Sequence, residues 1–193
     1  MVRHVAAFLL VAFSGAFLDL ATKDWAFEHN PYGVDIPVIP GWFSFGKTLN
    51  PGVVFGMGPQ AKTFWLVVAV LAVPLISGLF LASLRKPRWL GTLTLGMILA
   101  GTIGNMVDRI RVGAVRDFLK FFYVDAAGVP HVWPLFNLAD SYICVGVFLL
   151  TLEMLVLEEK KKPSSAPKGG ASEGLPPAPP SPAAEPAVPP PGP

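Results

Sequence analysis

Residues Phe64 to Leu84 form a run of 21 amino acids without one charged side chain. As an α-helix rising 1.5 Å per residue the run is roughly 31 Å long, about the thickness of a bilayer's hydrocarbon core. Backbone N–H and C=O groups find no water in that medium, so a run of this length must satisfy them internally as a helix. Three more apolar stretches accompany it. Val5 to Leu18 ends at Asp19, Trp89 to Val107 ends at Asp108, and Val132 to Leu152 is interrupted by Asn137 and Asp140. Composition agrees: 52% of residues are hydrophobic and 15% charged, against about 25% charged in an ordinary soluble domain.

The first run follows Arg3 and contains Ser14, Gly15 and Ala16, which is also how a cleavable signal peptide reads. No A-x-A-like site precedes Asp19 and three spans follow, so it is read as a retained helix. The expected fold is an all-α membrane protein with four transmembrane helices, at about residues 5–22, 64–84, 89–107 and 135–157. Positive charge orients it. Arg3, then Arg85, Lys86 and Arg88, then Lys160, Lys161 and Lys162 all fall on one side of a four-span chain. That side is expected to be cytoplasmic and to hold both termini. Residues 1–157 make the membrane domain, and 158–193 a tail that is basic and then Pro-rich. With 12 prolines in residues 163–193, the tail buries too little apolar surface to offset its ordering entropy and is expected to be disordered.

Other function classes drop out quickly. A net charge of +2 with scattered basic residues does not describe a nucleic-acid binder. The single Cys144 excludes an internal disulfide and a cysteine-based zinc site. His4, His29 and His131 have no metal-ligand spacing, and neither H-E-x-x-H, G-x-S-x-G nor a P-loop occurs.

The two segments on the outer side carry signals of their own. Residues 34–45 alternate apolar side chains with Pro and Gly punctuation, which predicts short strands or a hairpin at the outer surface. Val115 to Tyr123 mixes charge with Phe and Leu and is expected to lie along the membrane interface. Trp25, Trp42, Trp65, Phe121, Phe122, Tyr123 and Trp133 fall near span ends, as an interfacial aromatic belt does.

Polar groups collect at the same end. Asp19 and Lys23 sit i, i+4 at the outer end of span one; Asn105, Asp108 and Arg109 close span three; Asp117 follows, and Asn137 and Asp140 open span four. Asp19 with Lys23 reads equally as a simple ion pair or a snorkelling lysine. Asp108 and Arg109 read equally as interfacial charges pinning a helix end. Asp140 is harder to dismiss, because no residue from Ser141 to Leu152 offers a charge to pair with it and an intramembrane carboxylate marks a functional site by default. Two neighbouring carboxylates tend to hold one proton between them. The ionised one can then activate water while the protonated one polarises a carbonyl, which is peptide hydrolysis of the aspartic type.

Five blocks complete the pattern: Asp19-Leu-Ala-Thr-Lys23, Asn50-Pro-Gly52-Val-Val-Phe55-Gly56, Gly101-Thr-Ile-Gly104-Asn105-Met-Val-Asp108-Arg109, Gly113-Ala-Val115-Arg-Asp117-Phe118 and Phe136-Asn137-Leu138-Ala139-Asp140-Ser141. Together and in this order they resemble the bacterial lipoprotein signal peptidases, the type II signal peptidases. The resemblance implies a four-helix intramembrane aspartic protease of the bacterial inner membrane, with a small β-rich cradle outside the membrane. It implies Asp117 and Asp140 as the catalytic pair, with Asp19, Lys23, Asn50, Gly52, Gly101, Asn105, Asp108, Arg109, Asn137 and Ala139 supporting the pair or binding substrate. The implied substrates are diacylglyceryl-modified prolipoproteins, cut just before the lipidated cysteine. No metal or organic cofactor is implied; membrane lipids are the remaining partner, and a monomer is expected.

Three features depart from the family pattern, the Pro-rich tail being one. Arg116 stands where an apolar residue is expected, and it is expected to face headgroups rather than Asp117. Phe121 to Pro134 is long and is expected to form an extra loop at the site mouth. Two rivals remain at this stage: a proton-coupled transporter, and a non-catalytic scaffold that binds lipoprotein precursors. Against the transporter, span two carries no charge and no internal repeat is visible.

Overall fold

Four long helices alternate with strands along the chain: α1 (Val2–His29), β1 (Ile36–Ile39), β2 (Phe43–Asn50), α2 (Ala61–Ser83), α3 (Trp89–Arg111), β3 (Val115–Val124), β4 (Pro130–Val132) and α4 (Leu138–Lys161). The computed structural model describes residues 1–52 and 61–161. Phe55 and Gly56 of the second sequence block and the Pro-rich tail lie outside the described residues. All four helices are long and apolar enough to cross a membrane.

The helices outrun the spans that hydropathy marked. Helix α1 runs on through Asp19 and Lys23 to His29, because those charges find partners inside the protein and the backbone has no reason to stop there. Its C-terminal end is capped instead by a distant cation. Lys47, on β2, donates to the carbonyls of Phe27 and of Asn30, the latter at 3.1 Å, where the negative end of the helix dipole favours positive charge.

Helix α3 packs against each of the other three. A core of Phe8 and Ala12 from α1, Ile76 and Phe80 from α2, and Leu95 and Leu99 from α3 sits where they meet. The Phe8 and Phe80 rings stack with centroids 3.8 Å apart. Lipid tails are as apolar as leucine, so helices in a bilayer associate through close packing rather than hydrophobic gain, and small residues allow that approach. Helix α3 supplies them. A Cβ on Gly96 would stand 3.1 Å from Val11; Gly101 lies directly against the carbonyl oxygen of Ala139, and Gly104 against the carboxylate of Asp19.

The strands form one antiparallel sheet in the order β1-β2-β3-β4. The hairpin read at residues 34–45 is present and continues to Asn50. Residues 115–123, expected along the membrane interface, form strand β3: Val115 pairs with Asn50 and Asp117 with Thr48, so the sheet satisfies their backbone groups. The long stretch after Phe121 is not a free loop either. It completes β3 and folds back as β4, with Tyr123 opposite His131.

Beyond β4 the chain stays on β3 through Trp133, whose N–H donates to the Phe121 carbonyl at 2.9 Å, and then through Phe136. Phe136 donates its N–H to Leu119 at 3.2 Å and accepts from Phe118 and Leu119 at 3.1 and 2.9 Å. This clasp sets Asn137, the next residue, beside Asp117. A methyl group on Gly101 would push the start of α4 away from that position. The Gly101→Ala variant is therefore expected to lose about 1–3 kcal/mol of stability, read as a lowered thermal midpoint of the purified protein in detergent.

Candidate active site

Helix α4 begins with a reciprocal pair of hydrogen bonds. The Asn137 side-chain oxygen accepts the N–H of Asp140 at 3.0 Å, and the Asp140 carboxylate accepts the N–H of Asn137 at 3.3 Å. This is a capping box built from Asn and Asp, in which two otherwise orphaned donors at a helix N-terminus are satisfied side chain to backbone. The Ala139 N–H is bound from α1, at 2.8 Å, by Asp19.

The same asparagine reaches the second carboxylate. Asn137 Nδ2 donates to Asp117 Oδ1 at 2.6 Å and to Asn105 Oδ1 at 3.3 Å, while Asn105 Nδ2 donates to Asp140 Oδ1 at 2.8 Å. Asn50, a diagonal neighbour of Asp117 across the β2–β3 ladder, donates to Asp117 Oδ2 at 3.1 Å. Its amide is aimed by the turn that follows: the Gly52 N–H binds Asn50 Oδ1 at 2.9 Å, and Trp65 Nε1 holds the Gly52 carbonyl at 2.8 Å. Gly52 has φ +84°, and a Cβ there would run into the Trp65 ring. Three amide side chains thus hold two carboxylates.

The two acids differ in setting. Asp117 is 1% exposed, whereas Asp140 is half-buried and borders an apolar cleft. Burial first, and the negative charge of Asp140 second, push Asp117 up to about 6, against the pull of the Asn50 and Asn137 hydrogen bonds. A carboxyl group so placed exchanges its proton close to neutral pH.

Beneath the acids lies a fully buried ionic cluster. Lys23 Nζ is 2.7 Å from Asp19, 3.0 Å from Asn105 Oδ1 and 3.4 Å from Asp108. All three charged side chains are inaccessible, so Lys23 does not snorkel. Asp108 is gripped from its other side by Arg116, whose Nε and Nη2 lie 3.0 and 2.8 Å from Oδ1 and whose backbone N–H lies 2.9 Å from Oδ2. The expectation that Arg116 faces headgroups is therefore corrected. Its guanidinium binds buried Asp108 on one side and reaches the exposed Asp24 on the other, a two-sided planar arrangement that suits arginine. It makes no contact with Asp117.

The turn that presents Arg116 ends α3. The Val112 and Gly113 N–H groups both bind the Asp108 carbonyl, at 2.8 and 3.1 Å, and Gly113 adopts φ +79°, the left-handed closure of a helix C-terminus that glycine favours. Arg109, one residue beyond Asp108, makes a hydrogen bond to the Asn105 carbonyl at 3.2 Å and lies in the field of Asp140 and Asp117.

The sequence-selected residues Asp19, Lys23, Asn50, Gly52, Asn105, Asp108, Arg109, Asp117, Asn137 and Asp140 all meet at this end of the helices. Gly101 and Ala139 serve differently, as the contact by which α3 and α4 approach. Sequence reasoning passed over Asp24 and the packing role of Gly104, and read Trp65 only as an aromatic near a span end rather than as the support of Gly52. Asp24 adjoins Lys23 and is an unremarked acid on a helix; only the fold shows that Arg116 lies across from it. Among the described residues no group of three or more His, Cys, Asp or Glu is arranged to hold a metal ion.

Spanning helices that gather paired acids and amides at one end define a multi-pass membrane protein with a polar site. The fold is shared with a bacterial membrane enzyme solved by the in meso method at 2.3 Å resolution, with a TM-score of 0.70 and 24% identity over 82% of this chain and 93% of that one. Residues 11–156 match the family model described as signal peptidase (SPase) II. The lipoprotein signal peptidase of Geobacter metallireducens is 35% identical over 157 residues, covering 80% of this chain and 93% of the relative. That of Geobacter sulfurreducens is 36% identical over 159 residues, covering 81% and 96%. That of Desulfitobacterium hafniense is 38% identical over 133 residues, covering 67% and 80%. The chain belongs to the signal peptidase II family and is a protease. These relationships lend nothing to the transporter or to the non-catalytic scaffold.

Removing one partner of a buried ion pair leaves the other charge without compensation, at a cost of about 3–5 kcal/mol. Lys23→Met strands Asp19, and is expected to lower stability by that amount in thermal or chemical unfolding in detergent.

Proposed function

We propose that Asp117 and Asp140 are the catalytic pair of an aspartic endopeptidase that removes signal peptides from diacylglyceryl-modified prolipoproteins, cutting immediately before the lipidated cysteine. The observation that carries the assignment is the shared asparagine. Asn137 donates to Asp117 through its side chain and to Asp140 through its backbone, which holds two acids from distant points of the chain against one small group.

Peptide hydrolysis needs a base to take a proton from water and an acid to polarise the scissile carbonyl. Two close carboxylates sharing a proton supply both. Coupled acids titrate together, so the roles belong to the pair. Asn50, Asn105 and Asn137 fix the carboxylates before substrate arrives, and preorganisation of this kind avoids reorganisation cost at the moment of reaction. Asp19, Lys23, Asp108 and Arg116 act through the framework: they bind the first turn of α4 to α1, α3 and β3. Arg109, held by one nitrogen on the Asn105 carbonyl, stands near both acids as a group that can meet a substrate carbonyl. We place the enzyme in the bacterial inner membrane with both termini cytoplasmic and the acids near the outer face, from the side of the membrane on which the Lys and Arg clusters fall. It is expected to act as a monomer and without a cofactor.

Asp117→Asn and Asp140→Asn, each purified and given a diacylglyceryl-modified precursor, are expected to lose about 10²–10⁴-fold in kcat, the contribution typical of positioned acid–base groups. Wild-type rates in either variant would remove that residue from the pair. Because the raised Asp117 holds its proton below a pH of about 6, kcat/KM is expected to fall as pH climbs through that value and the pair loses its last proton. Asn50 favours the ionised form of Asp117, so Asn50→Ala moves this descending limb to higher pH; a limb that stays put, or moves down, would contradict the assignment.

A further inference from the structure

At the end of the helices opposite the acids, a second groove opens between the α2–α3 turn and α4. Arg88 precedes Asn105 by seventeen residues on α3, roughly 26 Å at 1.5 Å per residue, so this groove is separate from the site described above. Lys86 and Arg88 from the turn, Glu153 from α4, and the apolar Leu95, Leu150 and Met154 line it around a volume of about 130 Å³.

The turn that carries the two cations is fixed at both ends. Lys86 donates its N–H to the Ser83 carbonyl at 3.0 Å, and the Arg88 carbonyl accepts the Thr92 N–H at 3.0 Å and the Thr92 hydroxyl at 2.8 Å. Both side chains point into exposed positions. Glu153, only 12% exposed, meets Arg88 Nη1 at 3.6 Å, too far for a hydrogen bond. That pairing leaves guanidinium N–H groups for another acceptor. The backbones of α2 and α4 do not approach each other among the described residues, so the groove is a gap between the turn and α4. Its apolar members lie deeper in the bilayer. Leu95 is roughly 10 Å beyond Arg88 along α3, and Leu150 roughly 5 Å beyond Glu153 along α4.

We propose that this groove binds an anionic phospholipid, with its phosphate on Lys86 and Arg88 and the start of one acyl chain on Leu150 and Met154. Charge selects the occupant. Two cations and one acid leave a net charge of +1, which the single phosphodiester of an anionic lipid neutralises and a zwitterionic lipid does not. The order of polarity selects a lipid over a free anion: one charged group is followed by apolar side chains, and Met154 is exposed on the outer face of α4. Basic pockets between helices on the cytoplasmic side hold anionic headgroups in this way. The orientation proposed above determines only which leaflet supplies the lipid.

The test is native mass spectrometry of the full chain in detergent, with phosphatidylglycerol and phosphatidylethanolamine of identical acyl chains supplied in equal amounts. The wild-type protein is expected to retain phosphatidylglycerol about fivefold over phosphatidylethanolamine, the contribution of about one basic side chain at an anionic lipid. Lys86→Gln is expected to bring that ratio to about one, and Lys86→Glu to invert it; either variant serves if the other does not fold. Arg3→Gln removes a cation from the same side of the membrane but outside the groove, and is expected to keep the wild-type ratio. Absence of any preference in the wild-type protein overturns the proposal. So does an equal loss in the Arg3 and Lys86 variants, which makes the effect one of general surface charge. Displacement of the lipid by excess glycerol phosphate would also overturn it, by making the groove a simple anion site. No readout involves proteolysis, so the outcome is independent of the catalytic assignment.

Discussion

Everything at the polar end of the bundle depends on how the first turn of α4 satisfies its backbone. A helix that starts at the edge of a membrane cannot rely on water for its orphan N–H groups. Here Asp19 from α1 takes the Ala139 N–H, Asn137 takes the Asp140 N–H, and Asp140 returns a bond to Asn137. Those bonds are structural necessities, and they also place Asp140 beside Asp117. The residue that caps the helix is the residue that joins the two acids.

The cost of that arrangement is carried by the buried cluster below it. Lys23, Asp19, Asp108 and Arg116 balance one another in charge; the first pair lies within α1, and the bonds to Asp108 join α1 and β3 to α3. Replacing such a cluster with apolar side chains often leaves a protein as stable or more so. Its retention here agrees with a positional role: Asp19 is oriented by Lys23 and then presents an oxygen to α4, while Asp108 is oriented by Arg116 and ties β3, with Asp117, to the end of α3. Glycines at 101 and 104 bring the helices close enough for these bonds to form. Asp117, in turn, is held against its own preference, since burial and a like charge both oppose its ionisation. That opposition keeps a proton available near neutral pH.

Family, spans and polar end were all legible along the chain. An uncharged run such as Phe64–Leu84 has one outcome in a membrane, and the Asn137–Asp140 spacing is that of a helix cap. The helix ends were less legible: hydropathy stops α1 at Asp19, whereas the helix continues because Lys23 pairs with Asp19 within it and with Asp108 eighty-five residues away. The strand pairing of β3 was not legible either, because Lys and Arg beside Phe and Leu suit a sheet face and a headgroup layer alike. Arg116 was misplaced for the same reason. Nothing local indicates that its partner is Asp108 eight residues back, across a glycine turn.

Residue types and short spacings determined by themselves that this chain crosses a membrane four times, since backbone groups in hydrocarbon leave no alternative to helices, and that its acids and amides gather toward one side. Tertiary structure alone decided which acid meets which amide, because those contacts are set by strand register between β2 and β3, by the clasp of Phe136 on Leu119, and by glycine contacts between α3 and its neighbours. A register or a helix crossing is fixed by the sum of many weak packing choices, and no single stretch of sequence contains that sum.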